Sequence, residues 1–181
     1  MQIREANVSD LEKIAQLHAQ SWRIAYRGIL SDAYLDGDLV LDRRALWQDR
    51  FSKPTAQQNI IVAEIKGALV GFACMFGSHE VGWRTLLENL HIAPEHKGAG
   101  IGTKLVTHVA QWCARTQASD ALHLWVLAGN SAAQGFYKRL GASPVEESDW
   151  DAPDGNRIAE LRFAWQSVGH LLLTQQPNLG V

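Results

Sequence analysis

Leu86-Leu-Glu-Asn-Leu-His-Ile-Ala-Pro-Glu-His-Lys-Gly-Ala-Gly-Ile-Gly-Thr-Lys-Leu-Val106 is the stretch on which the fold turns. Its first part, Leu86 to Ile92, reads as a strand that Pro94 ends. Lys97-Gly-Ala-Gly-Ile-Gly102 then opens a helix whose Leu105, Val106, Val109, Ala110 and Cys113 recur on one face. Glycines let successive backbone amides face a single anion, and the helix start adds its partial positive charge. Lys97 at the rim adds a full one, so the loop reads as a site for a phosphate-bearing ligand; the plainer alternative is a tight turn beside a solvated lysine. A Walker A loop would need GxxxxGK followed by Ser or Thr, whereas Gly102 is followed by Thr103 and then Lys104. A dinucleotide fingerprint counted from Gly98 and Gly100 finds Thr103 at its third glycine. Both fail on spacing.

Downstream, Ala121 to Leu127 is a second buried strand, and a helix crossover between it and Leu86–Ile92 implies that the two pair in parallel. Asn130 caps a further helix running through Leu140, with Gly141 as its stop. Asp154-Gly155 turns the chain into a last strand, where Ala159, Leu161, Phe163 and Trp165 alternate with Glu160 and Arg162. Upstream, Ile60–Ile65 and Ala68–Phe76 form a hairpin about Lys66-Gly67. Gln2 to Arg4 forms a short first strand, and Ser9-Asp-Leu-Glu12 reads as a capping box. A helix follows from about Asp10 to Ala25, and a second helical region runs from about Asp42 to Phe51, before Pro54. The order gives a mixed α/β or α+β layer without internal repeats.

Two spaced motifs carry a family resemblance. Lys97, Gly100 and Gly102 sit as in R/Q-x-x-G-x-G/A, with Lys in place of Arg or Gln, which keeps the charge and loses the fork. Asn130-Ser-Ala-Ala-Gln-Gly-Phe-Tyr-Lys-Arg-Leu-Gly141 looks like N-x-x-A-x-x-F-Y-x-x-x-G, and Leu90-His-Ile-Ala-Pro94 resembles the L-x-V-x-P that leads into the loop. From Ile3 to about Trp165 the chain thus resembles the GCN5-related N-acetyltransferase (GNAT) superfamily. The resemblance implies an acyl-CoA N-acyltransferase fold, a central mixed sheet with a splayed parallel strand pair flanked by helices. It places one N-acetyltransferase domain at residues 1–166 and a C-terminal tail at 167–181, whose apolar patch Leu171–Leu173 either packs or dangles.

The resemblance also implies acetyl-CoA as acyl donor, and it assigns roles residue by residue. Main-chain groups of Leu90 and Ile92 would pair with the pantetheine arm. Amides of Gly98, Ala99, Gly100, Ile101, Gly102 and Thr103, with Lys97, would hold the pyrophosphate. Asn130 would contact the cofactor or cap its helix beside it, and Tyr137 would lie near the sulfur as the acid that protonates the leaving thiolate. An alkyl ammonium must lose a proton before it attacks. Glu88 is the candidate base, because strand alternation sets it on one face with Leu86, Leu90 and Ile92 and turns His91 to the other. A salt-bridged strand glutamate is the alternative. His79 and Glu80, on a loop after the second hairpin strand, are further candidates. Acceptor contacts would come from Trp22, Tyr26 and Arg27, with Tyr34, and the Asp149–Asn156 turn lies opposite; Asp149, Asp151 and Asp154 there suit a cationic amine, but a plain polar hairpin turn is the favoured reading of them.

Composition narrows the class. Seventeen Lys plus Arg against nineteen Asp plus Glu give a net charge of −2, leaving no field to draw the chain onto nucleic acid or an anionic membrane. The charged amino terminus does not read as a signal peptide, and Ala68–Phe76 is too short to span a bilayer, so the expectation is a cytoplasmic protein. The two cysteines, Cys74 and Cys113, read as reduced buried thiols, and Cys113 at core spacing is a poor nucleophile. Seven scattered histidines show no metal-ligand spacing, so no metal is expected. The expected function is therefore direct acetyl transfer to a primary amine of a small molecule or peptide. A non-catalytic acyl-CoA-binding sensor is the alternative of a different class, and a nucleotide- or phosphosugar-binding domain a third. The tryptophans and apolar tail are compatible with a homodimer.

Overall fold

The computed structural model describes residues 1–80, 83–116 and 121–173. The chain begins with β1 (Gln2–Glu5), one 3-10 turn at Val8–Asp10, α1 (Leu11–Ala25), a short α2 (Asp32–Asp36) and α3 (Leu39–Ser52). A meander follows: β2 (Gln58–Ile65), β3 (Ala68–Glu80) and β4 (Trp83–Ile92). Then come α4 (Ile101–Thr116), β5 (Leu122–Leu127), α5 (Ser131–Arg139), the hairpin β6 (Ser143–Asp151) and β7 (Arg157–Trp165), and α6 (Gly169–Leu173). The seven strands form one sheet in the order β1-β2-β3-β4-β5-β7-β6. Every neighbour is antiparallel except β4 and β5, the pair joined by the α4 crossover. This is the mixed sheet with a parallel pair that the sequence implied.

Helices cover both faces. On one, Leu105, Val106, Val109 and Cys113 of α4 pack on Met75, Leu87, Leu124 and Phe163, and Val168 and Leu171 of the tail join the same core. Ile14 and Leu17 of α1 and Trp47 of α3 pack on Val62, Phe72 and Cys74 across the other. A smaller cluster of Trp22, Leu30, Leu35, Leu39 and Ala152 lies where α1 and α2 meet the β6–β7 hairpin. Both cysteines are buried free thiols, and burial pushes that of Cys74 up to about 12.

Three local expectations are corrected. The capping box belongs to Asn7 and Asp10, not Ser9 and Glu12: Asn7 Oδ1 accepts from the Ser9 amide at 2.9 Å, and Asp10 accepts from the Asn7 amide at 2.9 Å. Arg4 fixes this arrangement by donating to both Asp10 oxygens at 2.8 and 2.9 Å, while Glu12 pairs with Arg44 at 3.0 Å instead. His79 and Glu80 fall within β3 rather than on a loop after it, and their side chains lie outside the described residues.

The third correction concerns β4. Asn89 is opposite Cys74 and Leu87 is opposite Met75, so Glu88 is an extra residue, a β-bulge. Beyond it Leu90 and Ile92 pack with the α4 core. Glu88 instead turns to the α3 face, where Arg50 donates to its carboxylate and to Asn89 Oδ1, both at 2.5 Å. His91 lies on that face too, 2.8 Å from Ser21 Oγ of α1. Glu88 therefore shares a face with His91, not with Leu90 and Ile92.

Candidate active site

The parallel seam between β4 and β5 is short. Thr85 is opposite Leu122 and Leu86 is opposite His123, and no later residues pair. Past that point the strands diverge and open a cleft of about 1340 Å³. The backbone register makes its β4 wall useful. Ala93 N donates to Val70 O at 2.9 Å, so by antiparallel alternation the Gly71–Ile92 and Ala73–Leu90 pairs are the ones not hydrogen-bonded across to β3. Leu90 and Ile92 thus direct their peptide N–H and C=O groups away from β3, into the seam, where an extended ligand can take the place of a strand.

The seam leads to the glycine loop. Gly98 and Gly100 have φ of +81° and +76°, left-handed values that a side chain disfavours, and nothing lies within 4 Å of a Cβ added at either. Backbone conformation, not crowding, demands glycine at both. The Ala99 amide is spent on His96 O at 3.4 Å and that of Lys104 on Gly100 O at 3.1 Å. The amides of Ile101, Gly102 and Thr103 at the start of α4 have no carbonyl one turn back to bond. At Gly102 the reason differs: a Cβ would sit 3.1 Å from Phe136 Cζ, so glycine lets the start of α4 abut α5. Lys97 is exposed at the rim and lines the cleft. Amides, helix start and lysine form a cradle suited to a pyrophosphate.

Asn130 caps α5, its Oδ1 accepting from Ala133 N at 3.1 Å, which leaves the side-chain amide to donate into the cleft. One helical face later, Tyr137 lines the cleft at 8% exposure. Phe136 and Trp165 meet its ring edge-on at 5.0 and 6.1 Å. Burial, with repulsion from Tyr26 adding, pushes its pKa well above that of a free phenol. Tyr26 itself is pushed by burial to about 12. Two protonated phenols, from α5 and from the end of α1, therefore share the cleft.

The face towards α1 and α3 is cationic and aromatic. Arg43 lies over the Trp22 ring at 4.2 Å, and Arg50 over Trp47 at 4.8 Å. His91 is held neutral, its pKa pushed down to about 3 by burial and by the positive charges of Lys97 and Arg43. Of the sequence-predicted acceptor residues, Trp22, Tyr26 and Arg27 all line the cleft. Arg27 is exposed and bonds Asp32 and Asp36, at 2.7 Å each. Tyr34 hydrogen-bonds Asp42. The aspartates of the β6–β7 turn do not line the cleft: Asp154 accepts from Ser31 N at 2.7 Å and Asp149 pairs with Arg157 at 3.4 Å. Glu88 lines the cleft on the α3 wall. Arg43, Arg50, Trp150 and Glu160 also line it, and the sequence reading did not assign them. Trp150 sits on an otherwise exposed strand, and an isolated large aromatic there is the one signal that could have found it.

Comparison with known proteins agrees with this geometry. The model of the acetyltransferase (GNAT) family matches residues 13–142. N-acetyltransferase YuaI of Bacillus subtilis is 26% identical over 172 residues, covering 93% of this chain and 95% of that protein. Thialysine N-epsilon-acetyltransferase of Bos taurus is 30% identical over 157 residues, covering 81% and 86%. Among solved structures, PaiA N-acetyltransferase of Thermoplasma acidophilum in complex with coenzyme A aligns with a TM-score of 0.69 at 20% identity, over 88% of this chain and 96% of that one. Among the described residues no helix is long and apolar enough to cross a membrane. The chain is an N-acetyltransferase and belongs to the acetyltransferase (GNAT) family.

Proposed function

We propose that the protein transfers the acetyl group of acetyl-CoA directly to a primary amine of a small molecule or peptide. The observation that carries this reading is the continuous path from the open β4–β5 seam to the glycine loop, lined by the peptide groups of Leu90 and Ile92 and ending at the start of α4. It suits an extended amide-bearing arm that ends in a pyrophosphate. Acetyl-CoA supplies the activated acyl group as a thioester. Leu90 and Ile92 bind and align the arm, while Lys97 and the amides of Gly98, Gly100, Ile101, Gly102 and Thr103 hold the phosphates; that of Ala99 is already engaged by His96 O. Asn130 donates to the arm from the cap of α5. Glu88, directly or through a water it orients, takes the proton of the acceptor ammonium, and the free amine attacks without a covalent acyl-enzyme. Tyr137 gives its proton to the departing thiolate. Trp22, Tyr26 and Arg27 form the wall against which the acceptor is seated. The likeness to thialysine N-epsilon-acetyltransferase supports a small amine as the acceptor.

The test is CoA release from acetyl-CoA across a panel of amines and amino-terminal peptides, with a blank lacking acceptor. Acceptor-dependent release is expected. Lys97→Glu should weaken acetyl-CoA binding by about tenfold or more, since it reverses a charge at the phosphate cradle. Unchanged acetyl-CoA affinity in that variant would remove the glycine loop from the binding site.

A further inference from the structure

One carboxylate in the cleft has no part in the transfer chemistry. Glu160 lies on β7 opposite Leu127 of β5 and Ser148 of β6. It lines the same cleft as Tyr137 and is half-buried. Register puts Trp125 (opposite Arg162) and Trp150 (opposite Ile158) on its face of the sheet, and Trp150 meets Trp22 of α1 edge-on at 6.2 Å. The basic residue beside it is already engaged: Arg162 lies over the Trp125 ring at 4.4 Å and pairs with Glu146 at 2.9 Å. Among the described residues the Glu160 carboxylate forms no ion pair and no side-chain hydrogen bond. Loss of water around the carboxylate raises its pKa, with Arg162 pulling the opposite way.

A half-buried carboxylate without a partner is costly, and a cation arriving from solution removes that cost. Trp150 favours the same ligand through cation–π attraction, and Trp125, whose ring already carries Arg162, through contact with methylenes. Glu88, tied to Arg50 on the α3 wall, and Glu160, on the β7 wall, come from opposite sides of the open seam. We propose that Glu160 receives a second cationic group of the acceptor, so that the acceptor is an alkyl diamine: one amine is acetylated while the other, as an ammonium, is held by Glu160 against Trp125 and Trp150. The proposal rests on the acetyl-transfer reading and names the acceptor class for it.

Steady-state CoA release should be compared for 1,4-diaminobutane and 1,5-diaminopentane against butylamine, pentylamine and 4-aminobutyrate. Wild type is expected to favour each diamine over its matched monoamine by about tenfold or more in kcat/KM, and 4-aminobutyrate to be the poorest acceptor. In Glu160→Gln, of equal size, the KM for diamines should rise about tenfold while kcat changes less than about threefold, and the preference over monoamines should collapse. Glu160→Asp should restore part of that preference. Equal kcat/KM for diamines and monoamines in wild type overturns the proposal and leaves acetyl transfer standing. So does a Glu160→Gln variant that loses kcat on both classes alike, which would place Glu160 in proton transfer. Bound acetyl-CoA with no release on any amine would overturn the transfer reading itself, and this proposal with it.

Discussion

A phenol that protonates a leaving thiolate must keep its own proton at the working pH. Tyr137 meets that condition, because burial and the neighbouring Tyr26 push its pKa up. Tyr137→Phe should therefore lower kcat by about 100-fold, the scale of a general acid, and leave acetyl-CoA affinity within about twofold; steady-state kinetics beside a binding titration check it. Equal rates would remove Tyr137 from the mechanism. Histidines predict a second effect, on stability. His91 is pushed down to about 3, and His18 well below its usual value by burial and by the charges of His91, Arg43 and Arg50. Unfolded, each titrates near about 6.5. The unfolded chain thus binds more protons, and the stability these neutral histidines confer is complete above about pH 6.5 and is lost as pH falls below it, for His91 down to about 3. Each steepens the loss to about 1.4 kcal/mol per pH unit below that point. Thermal melts should show Tm falling between pH 7 and pH 5, with a shallower fall in His91→Gln; a flat profile would mean that these rings take up protons inside the fold. Residues of this kind show where sequence reading stops. The glycine loop and the Asn130–Gly141 motif are written in consecutive residues, and they were legible. Glu88 was placed by simple alternation, which one extra residue in β4 reverses. Glu160 alternates with Leu161 and so reads as solvent-facing; only the approach of α1 and Trp150 makes its surroundings half-buried.

Elements stabilised by their own pattern were the legible ones. The α4 stripe, the β2–β3 hairpin and the capped α5 each carry periodicity and a turn or cap signal, and each forms close to where its residues indicate. β6 carries neither: eight of its nine residues are exposed, so no alternation marks it, and β7 alone holds it in the sheet. α2 is five residues long, too short for a helical period, and Ser31 caps it with a 3.4 Å bond from Tyr34 N. The β4 bulge is likewise held from outside its own strand. Arg50 of α3 reaches it with bonds to Glu88 and Asn89 at 2.5 Å, while its guanidinium lies over Trp47 and, at 5.6 Å, over Phe76. Arg50→Ala should release this clamp and leave Asn89 Oδ1 without its donor. Charge-assisted bonds of this kind contribute about 2 kcal/mol, so urea unfolding should show a loss of that order. Turnover should fall with it, since the bulge carries Glu88, and acetyl-CoA affinity should fall less, because Lys97 and the loop amides beyond the end of β4 are untouched while only Leu90 lies beside the bulge. Arg50→Lys keeps the charge without the fork and should recover only part of the loss. Wild-type stability and turnover in Arg50→Ala would show that the bulge holds itself.

At the scale of the whole molecule, the seam that opens for the ligand is also where the sheet is weakest. Among the described residues, strands β1–β4 and the β5–β7–β6 group pair through Thr85–Leu122 and Leu86–His123. What bridges the two groups is the helix layer, chiefly α4, which packs on β2, β3 and β4 on one side and on α6 on the other. α6 is attached to the end of β7, so it ties the second strand group back to α4. Val168 and Leu171 supply the contact at 1% and 2% exposure, and Trp165 Nε1 donates to Leu140 O at 2.7 Å, fixing the end of α5 to the same corner. The boundary expected from sequence, a domain ending at residue 166, cuts through this brace. Each of the two side chains contributes about 1.5–3 kcal/mol on burial. A protein ending at Gln166 should therefore lose about 3–6 kcal/mol of stability in urea unfolding, a large share of the margin of a domain this size. Its remaining folded fraction should bind acetyl-CoA more weakly, because the proposed site of the arm is the seam that α6 helps to hold. Substituting Val168 and Leu171 with alanine in the full chain should reproduce most of the loss, which separates the brace from any effect of shortening. An unfolding midpoint unchanged in both proteins would show that α4 alone holds the two strand groups together, and that residues 1–166 are a complete domain.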